Sequence, residues 1–341
     1  MAYTKRERVM SVLAGELPDR PPVTAYRHFP GREQKPVDIA EAMLGFQKEY
    51  DWDWIKINTS ADYYYEVWGN EYDYTRYEGN VPARVSWAVH TPAELEKITE
   101  QHGNAGVLAN YLEAVRLIRA GAGEDIPVFN SIFAPIAILL NLIGGRSPGR
   151  YRPAPREECP LLPLFSAHRE ETHRALKAIA NTMAAYAEES LRAGADGIFF
   201  AEMGLAREGY LTYGEWEEFI VPYDRIVLEA LGSRPSMLHT CGISGNPERF
   251  VSYPIRALHW AESAPGNPPI RGSESWLGSI AAMGGVNENY FGQGKAEKIG
   301  EDARRSVAEN RHRPFMLVPE CTVAMNSSPE ELIALREAAE C

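Results

Sequence analysis

The chain has 341 residues, 45% hydrophobic and 24% charged, enough apolar material for one large core or two domains. Lys and Arg total 35 against 47 Asp and Glu, a net charge of −12 that argues against non-specific binding to nucleic acid or anionic membrane. The longest apolar stretch, residues 132–143, is interrupted by Pro135 and Asn141 and falls short of a membrane span. The N-terminal residues lack a signal peptide's apolar run, so a cytoplasmic protein is expected.

In chain order, the first 50 residues predict an N-terminal helical extension plus a first strand at 22–26. Further short β-rich runs follow at 54–58, 127–133, 197–202, 236–241, 257–262, 281–286 and 315–320. Most are apolar with little polar alternation, the pattern of parallel strands buried on both faces. Helical patterns lie between them. Thr91-Pro92-Ala93-Glu94 opens one helix, and residues 170–193 form a long run rich in Ala, Glu, Leu and Arg. Residues 213–231 carry apolar positions at helical spacing with Pro222 as a kink, and residues 296–310 are polar with an Ile/Val stripe. Ser328-Pro329-Glu330-Glu331 starts the last helix with a capping box. Residues 144–163 read as a mobile, basic insertion loop.

Eight strands alternating with helices predict a single α/β domain over residues 1–341, a (β/α)8 barrel. An open doubly wound sheet is the runner-up, but it lacks the Gly-rich fingerprint after its first strand. Chemistry in a barrel sits where strands end, which selects Asn58, Glu202, His239, Cys241, His259, Glu262, Asn287, Glu320 and Cys321.

His239-Thr240-Cys241 ends one predicted strand and Cys321 another. Residues two apart in an extended segment point the same way, so His239 and Cys241 can reach one point. One imidazole and two thiolates leave a fourth position open on tetrahedral zinc, the layout of a catalytic site. The alternative is a buried histidine beside inert core thiols. Glu202 is either a fourth ligand, an acid/base or a partner of Arg207. His259 reads equally as a satisfied core histidine. The aromatic stretch from Trp52 to Tyr77, with Tyr63 and Tyr64 at its centre, could wall a pocket mouth, pack as a lid or make a homodimer interface. Arg27, His28 and Arg32 follow the first predicted strand as anion binders or as surface charge. Gly284-Gly285 suggests a turn. The remaining cysteines, Cys159 and Cys341, leave too few for a disulfide scaffold.

These motifs resemble the uroporphyrinogen decarboxylase superfamily over nearly the full chain. The resemblance rests on the segments 4–9 through 19–23, Ile132-Phe133-Ala134-Pro135, Leu238-His239-Thr240-Cys241-Gly242, Met283-Gly284-Gly285-Val286, and Pro319 through the capping-box helix. It implies a (β/α)8 barrel with the site at its C-terminal face. Where that family's decarboxylases carry R-Q-A-G-R, F-S-D-I and G-H-G, this sequence has Tyr26-Arg27-His28-Phe29-Pro30-Gly31-Arg32, Asn58-Thr59-Ser60-Ala61 and Glu320-Cys321-Thr322. His239, Cys241 and Cys321 instead match the zinc-dependent branch similar to methylcobamide:coenzyme M methyltransferase.

That branch implies zinc, a corrinoid methyl carrier, free or on a partner protein, and a small thiol acceptor activated as zinc thiolate. It assigns the metal to His239, Cys241 and Cys321. The fourth ligand position is not matched by the resemblance and is given to Glu202 from its strand-end place, and the same strand-end and aromatic positions give Asn58, Tyr63, Tyr64, His259, Glu262 and Asn287 as substrate contacts. The competing expectations are a metal-free lyase using Arg27, Arg32 and Asp62, and a non-enzymatic corrinoid or tetrapyrrole binder.

Overall fold

The computed structural model describes residues 3–60, 62–207 and 209–340, so Ala61 and Cys341 lie outside the described residues. In chain order the strands are β1 (Ile55–Ile57), the hairpin β2 (Glu71–Glu78) and β3 (Val81–Ser86), β4 (Val128–Phe133), β5 (Gly197–Glu202), β6 (Ser236–Thr240), β7 (Ala257–His259), β8 (Ala281–Val286) and β9 (Phe315–Pro319). Seven of them form one parallel sheet in the order β1-β4-β5-β6-β7-β8-β9, with helices in most of the connections. Every residue of β5, β6 and β8 is buried, as strands covered on both faces require.

The eighth expected strand, 22–26, does not form a ladder. Among the described residues it is a single parallel bridge between Val23 and Leu317. Pro22 O accepts from Leu317 N at 3.0 Å, and Val23 O accepts from Asp53 N at 2.9 Å. The segment thus spans from β9 to the residue run leading into β1, joining the two edges of a curled sheet. Pro21 and Pro22 remove two amide donors there, which limits how much of a ladder can form.

The first 50 residues divide in two. The helix Lys5–Leu13 is capped by a Thr4–Glu7 box and packs Val9, Val12 and Leu13 against the inward residues Trp54, Phe129, Met237, Ala257, Ala281 and Met316. It fills one end of the curled sheet. The helix Pro36–Tyr50 instead packs on the helix Val107–Ala122, beside β1, as a repeat helix does.

The later helices follow the sequence signals closely. The long helix spans Arg169–Arg192, and the predicted 213–231 helix breaks at Ile220 into Tyr213–Phe219 and Val221–Glu229, with Pro222 at the second helix's start. Residues 92–97 form a tight 3-10 turn instead of an α-helix, although the Thr91–Glu94 capping box is present. Gly284 and Gly285 lie inside β8, not at a turn. A Cβ on Gly285 would lie 2.7 Å from Ser306 Oγ, so the glycine allows the helix Ala296–Asn310 to pack close to the strand.

Candidate metal centre

Side chains alternate along β6, so His239 and Cys241 point to the sheet's inward side while Thr240 points out. Cys321 follows β9 by two residues and arrives from the opposite wall. The three ligand atoms lie within 4.8 Å of one another, with Cys321 Sγ 3.7 Å from His239 Nε2. Ligand atoms around a tetrahedral zinc sit roughly 3.5–4 Å apart, so these donors need only small movements to share one ion. His239 Nδ1 is buried and has no hydrogen-bond partner.

The thiols are electronically prepared. A hydrogen bond from the Cys241 thiol, the Arg150 guanidinium and the imidazole of His239 hold Cys321 well below the ordinary thiol range, while the same sharing and burial push Cys241 up. One proton between two sulfurs is readily displaced by a divalent cation. The donor set therefore fits zinc on chemistry and on spacing.

The trio lines a cleft whose walls include Asn58, Tyr64, Lys56, Ser131, Phe199, His28 and Arg150. Arg150, from the loop 149–152, forms part of its wall. The buried Arg207 donates to the carbonyls of Gly149 (3.1 Å), Arg152 (2.8 Å) and Arg150 (3.4 Å). Gly242, at φ +79°, makes room for this loop: a Cβ there would lie 2.4 Å from Arg150 O.

Several expected site residues lie elsewhere. Glu202 pairs with Thr240 in the β5–β6 register and so faces outward, away from His239. Both its carboxylate oxygens are buried without partners, and desolvation plus nearby Asp224 push its carboxyl strongly up. It does not join the cluster, and Arg207 does not pair with it. The His259 ring lies 4.6 Å from that of His239, tilted by 35°, but its nitrogens face Tyr26 Oη (3.1 Å) and Pro319 O (3.0 Å). It is a satisfied core histidine.

Tyr63 bonds Tyr186 in the core, while Tyr64 lines the cleft and donates to Ser131 O. Glu262 accepts from Ile270 N at 2.8 Å and Asn287 from Asn289 N at 2.9 Å; neither lines the cleft. Trp52, Trp54 and Tyr63–Tyr65 are buried within the chain, which removes that part of the aromatic stretch as a subunit interface. Arg27 lies over the Phe46 ring at 4.7 Å and Arg32 pairs with Glu41 at 3.0 Å, both outside the cleft. Asp62 faces a neighbouring cavity with Arg84 and Arg146, and burial raises its carboxyl to about 7.

Of the three expected anion binders, His28 does line the cleft, whereas the cleft-wall residues Lys56 and Arg150 are not marked by any strand-end or motif signal. Lys56 falls two positions before Asn58 on the same face of β1, a parity signal that was available. Arg150 comes from a loop whose course no local pattern reveals.

The uroporphyrinogen decarboxylase (URO-D) family model matches residues 4–340. The chain belongs to that family. The curated methylcobamide:CoM methyltransferase MtbA of Methanosarcina acetivorans is 24% identical over 264 residues, 72% of each protein. Among solved structures, a methyltransferase from Methanosarcina mazei shares the fold at a TM-score of 0.76 and 18% identity, covering 99% of this chain and 98% of that one. A B12-independent methionine synthase from a Shewanella species follows at 0.58 and 13%, covering 94% and 96%. Among the described residues no helix is long and apolar enough to cross a membrane.

Proposed function

We propose that this family member is a zinc-dependent methyl or alkyl transferase that moves a methyl group between a corrinoid and a small thiol. The observation that carries this reading is the convergence of His239, Cys241 and Cys321 in an accessible cleft. The similarity to a methylcobamide:CoM methyltransferase supports the same chemistry. Zinc held by these three residues would keep a thiol sulfur anionic near neutral pH and, with two cysteinate ligands, still nucleophilic.

The chain's own groups prepare that step. Arg150 lies toward both sulfurs and favours their ionised form. Phe199, Tyr64 and Ala201 give the cleft apolar walls that exclude water from an attacking sulfur. Asn58 and Ser131 offer polar contacts to an acceptor at the base of the wall. A corrinoid, free or on a partner protein, would approach from the open mouth beside residues 149–152. The cytoplasm, where thiols stay reduced, suits such a site.

Arg27 and Arg32 stand outside the cleft, so the metal-free lyase reading loses its expected cations. The deciding measurement is zinc content of protein purified under reducing conditions, followed by thiol-dependent demethylation of methylcobalamin. Wild type should hold about one zinc per chain, and Cys321→Ala should lose it together with activity. Wild type that takes up no zinc would overturn the proposal.

A further inference from the structure

Lys56 occupies an inward position on β1, where a curled parallel sheet ordinarily places an apolar residue. Its neighbours on that face are Trp54 and Asn58. Its ammonium lies 4.7 Å from the Tyr26 ring centroid and 4.8 Å from that of Phe199, and donates to Asn58 Oδ1 at 2.5 Å. None of these partners is an anion. The side chain lines the cleft that holds His239, Cys241 and Cys321. The charged and titratable groups that share its cleft are Tyr26, His28, Tyr64, Arg150, His239, Cys241 and Cys321, with His259 behind Tyr26.

A thiol that binds as thiolate must release a proton, because ordinary thiols carry one near neutral pH. The other groups around the cleft are poorly placed to take it. His259 is engaged by Tyr26 and Pro319, and Glu202 faces outward. Glu320 is held by the backbone N–H and hydroxyl of Ser263. Arg150 has no acceptor atom. His28 is turned to Glu33 at 3.2 Å.

We propose that Lys56 Nζ is the catalytic base that takes the acceptor thiol's proton as its sulfur reaches the His239–Cys241–Cys321 cluster. The proposal rests on the methyltransferase reading above. In this step the S–H bond breaks, its proton joins the Nζ lone pair, and the electron pair stays on sulfur. Enclosure pushes the amine down to about 7, which leaves the free base in the majority at pH 8. An arriving anionic sulfur then favours the ammonium form.

Proton counting tests this without any turnover. Zinc-loaded full-length protein is titrated calorimetrically with 2-mercaptoethanol at pH 8, in buffers of different ionisation enthalpy. Wild type should release almost no proton to buffer, whereas Lys56→Met and Lys56→Arg should each release about one, arginine being unable to serve as a base. Zinc content and far-UV circular dichroism confirm that each variant is folded and loaded. Equal release by wild type and both variants would overturn the assignment and point to His28 or solvent. If neither variant binds the thiol, wild type alone decides. Its release should rise to about one proton at pH 6, where Lys56 is already charged, and equal release at both pH values overturns the assignment. Zinc-loaded wild type that binds no thiol at all would remove the methyltransferase reading and this proposal with it.

Discussion

At the scale of single residues, strand parity separates the candidate metal ligands from their look-alike. His239 and Cys241 share one face of β6, whereas Glu202 ends β5 on the other face, beside Asp224. Glu202→Gln should therefore retain zinc, unlike Cys321→Ala. Its effect should be on stability. Burial raises the folded carboxyl above its unfolded value, so above about pH 4.3 the unfolded chain loses a proton that the folded chain keeps. Stability from Glu202 is full below that pH and falls by about 1.4 kcal/mol per unit as pH rises toward the folded value. Denaturant unfolding of wild type and Glu202→Gln at pH 5 and pH 8 should show the variant gaining relative to wild type at the higher pH. A variant that lost zinc, or a stability difference independent of pH, would contradict this placement. The convergence of His239, Cys241 and Cys321 is legible in the sequence because His-x-Cys at a strand end fixes its own direction. Glu202 was misread because the strand end was located correctly but its parity against β6 was not followed. Lys56 is unmarked for a related reason: it lies inside β1, two residues before the strand end at Asn58 where barrel chemistry is expected.

At the scale of elements, the site depends on a loop that the sequence marks only as basic and irregular. Arg207 ties residues 149–152 through three backbone carbonyls, and that tie sets Arg150 near the two sulfurs. Arg207→Met would leave those carbonyls to water and loosen the loop. The metal-free Cys241–Cys321 pair should then alkylate faster with iodoacetamide, by about tenfold if the loop opening costs 1.4 kcal/mol less. An unchanged rate would show that the loop is held by its other contacts, such as Ile243 N to Arg150 O at 2.9 Å. Apolar β-rich runs made the seven parallel strands readable to within a few residues. The hairpin β2–β3 was not recognised, although Glu71-Tyr72-Asp73-Tyr74 alternates in polarity as a partly exposed strand does. Its tyrosines read as an aromatic wall because residue type outweighed spacing. The eighth strand was over-read at 22–26, where two prolines limit the pairing to a bridge.

At the scale of the whole molecule, the sheet's two edges are joined through one buried charge. Asp53 is fully buried and accepts from Arg8 at 2.9 Å, from Arg20 at 2.7 Å and from Val23 N at 2.7 Å. These contacts tie the helix Lys5–Leu13, the bridging residues 22–24 and the entry to β1 into one junction. Asp53 lies at the N-terminal end of β1, whereas the metal cluster lies at the C-terminal ends of β6 and β9, so the two regions can be separated by experiment. Asp53→Asn keeps the shape but leaves two arginines without their shared anion. Breaking a buried ion pair from one side costs about 3–5 kcal/mol, against a few tenths for an ordinary surface change. The variant should unfold at markedly lower denaturant while its folded fraction still binds zinc at the wild-type ratio. A variant with wild-type stability would mean that the edge closure rests on the backbone hydrogen bonds of residues 22–24 alone. Loss of zinc from still-folded protein would mean that strain at this end reaches the cluster through the strands. The expected result, lower stability with an intact metal ratio, places closure and chemistry at opposite ends of the same seven strands.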